Sequence, residues 1–548
     1  MKFGEVNKVS CDVLVIGGGG AGLRAAIEAR EMGAEVIVVS KSRVGHATNT
    51  WIAKARIAAT GWGDALDDHH VHLKDTVMGG RYLNDQALVS VMVQGAENQI
   101  SFLEKCGVVF AKKEGRFQIE HSSGHSNPRH VRGQHGTGSD LVLPLKEYSK
   151  KIGVRFAEKI FVSRLFSSDN RIAAASGISE DGRFQVFVAK CVILATGGFA
   201  QAYLHTNNAA GITGDGQALA FELGVPLKDM EFVQFYPTAL GKLGTRVLLY
   251  ETFVSNAGAV LKNAVGEDIV AKHGLGDPMF LTRDRLAQAI MLEIMEGRDV
   301  DGRVIMDLSP VSDEDIERSR ALLPLRWTAD QKELLVSPTA HFCMGGISID
   351  KNTETSLSGL FAAGEVSAGI HGANRLGGNA LSEVFAMGGI AGGKAAVKAR
   401  ELGLPEMPED EVAGEKARLE ALFNEEGEDL KAMCRSLKGA MWYKAGIQRS
   451  PKALEEALKQ IQERKALSAK TSITKIGDLI RSLELQNMLL VSEMVCRAAL
   501  LRTESRGSHF RSDYPEEDNT NWLKNIVVRK EDTGIRLEIV PVSPGPVR

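Results

Sequence analysis

At 548 residues the chain is too long for one compact core, so two or three packed units are expected, large enough to enclose a sizeable ligand between them. A formal net charge of −3, from 66 basic and 69 acidic side chains, supplies none of the positive field that attracts nucleic acid or an anionic membrane. Six cysteines, at positions 11, 106, 191, 343, 434 and 496, include no C-x-x-C pair, which argues against a disulfide framework and against a zinc or iron–sulfur site in this chain.

The start, MKFGEVNKVSCDVLVIGGGG, passes straight into strand-like residues without a signal peptide, and no apolar stretch is long enough to span a bilayer. A cytoplasmic protein without direct membrane insertion is expected. Cys11–Ile16 predicts a strand, Gly17–Gly22 a glycine turn, Leu23–Met32 a helix and Glu35–Val39 a second strand, which together make a βαβ unit. Gly17, Gly19 and Gly22 stand in the G-x-G-x-x-G arrangement. The first allows the tight turn, the second lets a pyrophosphate reach backbone N–H groups, and the third lets helix and strand pack closely. Val39-Ser40-Lys41-Ser42 lacks the acidic residue that grips a ribose at the end of the second strand, which counts against a generic NAD site. Buried-strand runs return at Cys191–Ala195 and Leu360–Ala363, so the nucleotide domain is expected to be discontinuous. A stretch of mixed character from about Glu231 to Met344 reads as an inserted cap. After the Pro- and acid-rich segment Leu404–Glu411 the tail reads as mainly helical, with Leu479, Leu483, Leu490 and Met494 on one face.

Ser40-Lys41 is followed by Thr50, Ala53, Ile57, Ala58 and Ala59 in a T-x-x-A-x-x-x-I-A-A stretch. Then come LATGG (194–198), TGDG (213–216), EFVQFYPT (231–238), TRD (282–284), SPTAHFCMGGI (337–347), GLFAAGE (359–365), HGANRLGGNAL (371–381) and RTESRGSHFRSDYP (502–515). In residues and order, over nearly the whole chain, this resembles the succinate dehydrogenase and fumarate reductase flavoprotein family, which includes the L-aspartate oxidases. The resemblance implies an α/β fold: a Rossmann-like FAD-binding domain in two parts, 1–230 and 345–403, an inserted α+β capping domain at 231–344, and a C-terminal helical domain at 414–548. It implies FAD as cofactor, with Gly17, Gly19, Gly20, Ala21 and Gly22 at the pyrophosphate and Ser40 and Lys41 by the adenosine. Asn49, Thr50, Ala195, Thr196 and Gly197 are further implied contacts, Asp215 and Glu365 the acidic ones, and Asn379, Ala380 and Leu381 are expected along the isoalloxazine.

Interconverting a dicarboxylate and its enoate needs a hydride site on one face of the carbon skeleton, an acid or base on the other, and cations for the carboxylates. The resemblance implies hydride transfer at flavin N5, Arg283 as proton donor or acceptor, and His341 and Arg375 as carboxylate anchors. A guanidinium is a weak acid, but the carbanion built by hydride addition is basic enough to take its proton.

Several positions depart from the family. Asn49 stands where many members tether the flavin through histidine, and His46 is three residues too early, so non-covalent FAD is expected. Tyr236-Pro237-Thr238 replaces H-P-T, turning one carboxylate anchor into a phenol. The T-E-x-x-R-G-E-G relay is replaced by residues 250–258, which keep Glu251 and lose the relay arginine. The predicted catalytic set is Arg283, His341, Arg375, Tyr236 and Glu251. His121, His125, His130 and His135 read as a polar loop by the flavin, since no carboxylate or thiol accompanies them at metal-ligand spacing. Gly124-His125-Ser126 with Arg129 matches the G-H-S-x-x-R element of L-aspartate oxidases, but Ser122 replaces their amine-recognising glutamate and Glu120 lies two places earlier. The expected function is interconversion of a fumarate-like enoate and a succinate-like dicarboxylate, with electrons exchanged through a separate iron–sulfur partner subunit. The alternatives are an amino-acid oxidase of the L-aspartate oxidase kind and a non-catalytic flavin electron-transfer subunit.

Overall fold

The computed structural model describes residues 2–547 apart from 64–65, 241–246, 324–326, 329 and 533. The first apolar run forms strand β1 (Asn7–Ile16), the glycines turn the chain into helix α1 (Gly20–Glu31), and strand β2 (Val36–Ser40) returns, fully buried, parallel to β1. Helix α1 begins at Gly20, ahead of the expected Leu23, because glycines are tolerated in a first turn whose N–H groups lack intrahelical partners anyway.

Strands 155–158, 36–40, 7–16, 184–194, 171–179 and 160–168 lie side by side in that order, and Leu360–Ala362 joins against the end of Phe184–Leu194. Ile16 pairs with Leu194 and Leu194 with Ala362, so three segments far apart in sequence deliver their carboxyl ends to one edge. Open α/β sheets bind ligands at such an edge.

A second, antiparallel sheet contains Val233–Leu240, Glu333–Cys343, Val304–Asp307 and Val260–Lys262 in that order. Helix Arg283–Met295 covers it, and Leu249, Phe253, Leu286, Ile290 and Val336 give it a core of its own. The tail is helical as far as Leu501, and helices Leu430–Lys444, Pro451–Ser468 and Ile476–Leu501 pack over Phe199, Tyr203 and Phe235. Leu479, Leu483 and Met494 are buried on the predicted face and Leu490 is half-buried. Beyond the helices the chain adds a hairpin, Lys524–Glu531 with Gly534–Pro541, which pairs with the short strand Leu227–Lys228.

Four charges are buried together near the start of the active-site strand. The Arg502 guanidinium donates to Glu231 Oε1 at 2.8 Å and to Glu504 Oε1 at 2.9 Å, and Arg506 donates to Glu504 Oε1 at 2.8 Å. Arg449 adds a bond to the Glu231 carbonyl at 2.8 Å. Removing one partner of such a cluster leaves an uncompensated interior charge, at a cost of roughly 3–5 kcal/mol. Among the described residues no helix is long and apolar enough to cross a membrane.

Candidate active site

A single cavity of about 820 Å³ runs from the glycine turn to the antiparallel sheet. Gly17, Gly19, Gly20 and Ala21 line one end of it. Gly17 has φ +121°, and a Cβ on Gly22 would lie 1.9 Å from the Gly17 carbonyl, so Gly22 serves helix–strand packing and does not face the cavity. Helix α1 has no capping side chain at Gly19, and neither does helix Asn379–Glu401 at Gly378. Two helix N-termini without a capping side chain, opening on one cavity, suit an anionic dinucleotide. The Thr50 hydroxyl accepts the Gly20 N–H at 3.1 Å and helps hold the turn.

Ser40 and Lys41 line the same end, and the Lys41 ammonium binds Asp215 Oδ2 at 2.6 Å, Glu484 Oε1 at 2.8 Å and Thr213 Oγ1 at 2.8 Å. Asp215 is therefore neutralised by a lysine and also held by Asn487 Nδ2 at 3.0 Å. Ala195, Thr196 and Gly197 line the middle, where the Thr196 hydroxyl is buried with no protein partner. Asn49 lines it too, donating to Glu365 Oε2 at 2.8 Å and accepting the Ala209 N–H at 3.1 Å. His46 stacks on Trp51 at 4.7 Å and stays outside the cavity.

Ala380 and Leu381 line the cavity, but Asn379, expected along the isoalloxazine, turns its side chain away. Its Oδ1 meets His72 Nε2 at 2.8 Å and its Nδ2 donates to Thr76 at 2.9 Å, because a polar side chain buried at a helix start must find interior partners.

Burial pushes Glu365 up to about 7, against Asn49 and the Cys343 N–H, which favour the carboxylate. With the folded pKa above the ordinary value near 4.3, the folded chain holds the extra proton, and this contribution is lost as pH rises from there towards 7. The FAD-free protein is expected to lose up to roughly 3 kcal/mol over that window relative to Glu365→Gln. Urea unfolding of both at pH 5 and 7.5 checks this; parallel pH slopes would refute it.

At the other end Tyr236, Glu251, Arg283, His341 and Arg375 come together, as neighbours of one another and of the cavity. Glu251 Oε1 accepts from Arg283 Nη2 at 2.5 Å and Nε at 3.0 Å, and its Oε2 accepts from the Tyr236 hydroxyl. Burial opposes the Glu251 carboxylate, but Arg283, then Lys54 and Tyr236, outweigh it and hold its pKa well below the usual carboxylate range. The Arg283 guanidinium lies 5.0 Å over the Tyr236 ring, whose edge meets His341 at 5.4 Å. The Tyr250 hydroxyl lies 2.7 Å from both the Pro278 and Leu281 carbonyls, its one proton available to either, and so braces the turn before Arg283.

Arg375 differs from Arg283. It donates to Gln234 Oε1 at 2.9 Å and the Leu376 carbonyl at 3.1 Å, its Nε has no partner, and among the described residues no carboxylate pairs with it. Burial, then Arg283, disfavours its charge. His341 has Nδ1 at 3.1 Å from Asn207 Oδ1, which leaves Nε2 for a ligand. Burial, then Arg375 and Arg283, keeps the imidazole neutral. A bound carboxylate reverses that balance and lets Nε2 donate as well.

The histidine loop is divided. His130 lines the cavity, whereas His125 is buried, and the Nε2 atoms of both lie within 2.9 Å of the Gly377 carbonyl. Arg129 is locked by Asp67 at 2.7 Å and Asp75 at 2.9 Å, so the G-H-S-x-x-R element braces the loop without presenting its arginine to the cavity. Ser122 lines the cavity, and Glu120 is paired with Arg56 at 2.6 Å. Four contributors are not evident from the sequence: Lys54, Gln234, Asn207 and Glu484. Gln234 stands inside EFVQFYPT with no role implied there, the other three match no motif residue, and each becomes significant only through partners more than a hundred residues away.

Residues 12–381 match the FAD binding domain family, and residues 434–547 match the fumarate reductase flavoprotein C-term family. The chain is 36% identical to an FAD-dependent oxidoreductase of Methanocaldococcus jannaschii over 94% of this chain and 96% of that one. It is 36% identical to one of the subunits of the fumarate reductase (CoM/CoB) of Methanothermobacter marburgensis, over 96% and 98% of the two chains. In structure it superimposes on FrdA of E. coli quinol fumarate reductase with a TM-score of 0.93 at 29% identity, covering 99% of this chain and 98% of that one. Matches of this extent, over nearly the whole chain, show that it is an FAD-dependent oxidoreductase belonging to the fumarate reductase and succinate dehydrogenase flavoprotein family.

Proposed function

We propose that the chain is the flavoprotein subunit of an enzyme that interconverts a fumarate-like enoate and a succinate-like dicarboxylate. One observation carries this reading: among the described residues the buried Arg375 guanidinium has no carboxylate of its own, beside an Arg283 that has one. A desolvated, unpaired guanidinium is costly unless a ligand anion completes it, and its planar fork fits a carboxylate. Lys54, Arg283 and Arg375 face the single ionised carboxylate of Glu251 around His341, a balance that suits a dianion.

Bound FAD supplies the hydride. Arg375 and His341 Nε2 grip one carboxylate and fix the double bond, while Arg283 faces the carbon that becomes a carbanion and gives it a proton. Glu251 holds the guanidinium in two bonds, so the donor is aimed before substrate arrives. Tyr236 has given its hydroxyl to Glu251 and acts on Arg283 through that carboxylate rather than as a substrate anchor. An iron–sulfur subunit is the proposed source of electrons; the Methanothermobacter relative is by name one component of a multi-subunit fumarate reductase, which supports an assembly of this kind.

The test is oxidation of reduced dye by the purified chain with fumarate, substituted fumarates and iminoaspartate. Turnover with an enoate diacid is expected. Turnover with iminoaspartate alone would favour an amino-acid oxidase, and no response of the flavin spectrum to any diacid would favour a non-catalytic electron carrier. We further propose that FAD is non-covalent, because the Asn49 amide is not nucleophilic and already bonds Glu365 and Ala209. Acid precipitation is expected to leave all flavin in the supernatant; a yellow pellet would refute this.

A further inference from the structure

We propose that Lys54 is the residue through which protons reach Glu251, and so Arg283, replacing the missing relay arginine. The inference rests on the enoate-reductase reading above. Arg283 must be reprotonated after each turnover, and its partners are Glu251, Gln234 and the face of Tyr236. Gln234 cannot supply a proton, and the Tyr236 hydroxyl is itself buried against Glu251. Glu251 is thus the route in, and it needs a donor of its own.

Lys54 lines the cavity with its ammonium 3.9 Å from Glu251 Oε2, the separation of a loose ion pair. It donates to the Leu248 carbonyl at 2.7 Å, which anchors the ammonium and leaves two of its protons free. Its side chain is 29% accessible, against 4% for Glu251 and 10% for Arg283, so it is the most open member of the group. The charged groups acting on it are Glu251 and Glu120, which favour the ammonium, and Arg56 and Arg283, which oppose it. With burial the largest influence, its pKa is pushed down to about 8.

The direction of flow follows. With Arg283 charged, Glu251 stays a carboxylate and nothing moves. Once Arg283 has given its proton to the substrate carbon, the neutral guanidine is a far stronger base than the Lys54 amine, by roughly four pK units or more. One N–H bond of Lys54 breaks, Glu251 passes a proton on, and one N–H bond of Arg283 reforms. Lys54 then recovers a proton from water. No electrons change hands in these steps.

The FAD-loaded full chain is assayed with reduced dye and its enoate between pH 6 and 9.5. Wild type is expected to lose kcat as pH rises through about 8, where Lys54 deprotonates. Lys54→Met is expected to lower kcat at pH 7 by ~10–100-fold, a larger factor than the rise in KM from the lost positive charge, and to abolish that alkaline limb. Lys54→Arg restores a cation of the kind the family relay uses, so it is expected to recover much of kcat while moving the alkaline limb up out of the assayed range. A Lys54→Met enzyme within twofold of wild type, or a Lys54→Arg enzyme that keeps the alkaline limb near 8, would overturn the proposal. If wild type itself reduces no enoate, the underlying reading fails and the coupling is measured directly. In reductively 13C-methylated protein the Lys54 signal, assigned by its loss in Lys54→Met, is expected to titrate near 8 and to move down in Glu251→Gln. An unmoved midpoint would overturn the link to Glu251.

Discussion

Arg283→Ala is expected to lower kcat by at least ~10³-fold while leaving FAD fully bound, because it removes the proton donor and its charge without touching the nucleotide end. The FAD-binding half is independent of Arg283, whose protein partners are Glu251 and Gln234. The loss also strands a buried carboxylate, though Tyr236 and Lys54 still face it. Arg283→Lys serves as the control: it restores a cation to Glu251 but not the two-pronged geometry, so it is expected to fold like wild type and remain impaired by ~10²-fold or more. Dye-linked turnover and flavin content measured together decide the matter. A variant that keeps its flavin and more than a tenth of wild-type kcat would mean that another group protonates the substrate.

Arg375→Met is expected to lower kcat/KM by ~10³-fold and to abolish the response of the flavin spectrum to carboxylate ligands, since the fork that receives the first carboxylate is gone. The same change is expected to make the ligand-free protein more stable, by about 1–3 kcal/mol, because a buried cation lacking a counter-ion is replaced by an apolar chain of similar length. Loss of function and gain of stability from one substitution separate a ligand-completed charge from a structural one. Urea unfolding without ligand reads the second effect, and a less stable variant that still binds diacids would show that Arg375 holds the fold and not the substrate.

Much of this site is legible in the chain itself. The Gly17, Gly19 and Gly22 spacing, the apolar runs ending at Ile16, Leu194 and Ala362, and the polar motifs holding Arg283, His341 and Arg375 all carry local signals; the three runs end at one sheet edge, and Gly17, Gly19, Arg283, His341 and Arg375 line one cavity. The rest is relational. Lys54 sits in an otherwise unremarkable A-K-A step, and its meaning comes from the Glu251 carboxylate, remote in sequence but 3.9 Å away in space. Asn379 adjoins two cavity residues, yet the direction of its amide is settled by His72 and Thr76 on another helix. The hairpin at 524–541 is hidden for a similar reason: its strands are half-exposed and full of charge, and only pairing with Leu227–Lys228 reveals them as sheet.

The Arg502–Glu231–Glu504–Arg506 knot has a consequence for how the molecule is made. Glu231 stands two residues before the strand that carries Gln234 and Tyr236, and its partner Arg502 lies 271 residues further along the chain. The last residue lining the cofactor cavity is Glu484, so translation at about 5–20 residues per second completes the cradle about 1–4 s before Arg506 is added. A nascent chain can therefore take up its nucleotide before its reaction chamber is locked, and a message cut short after the long terminal helix would yield a yellow but inert protein.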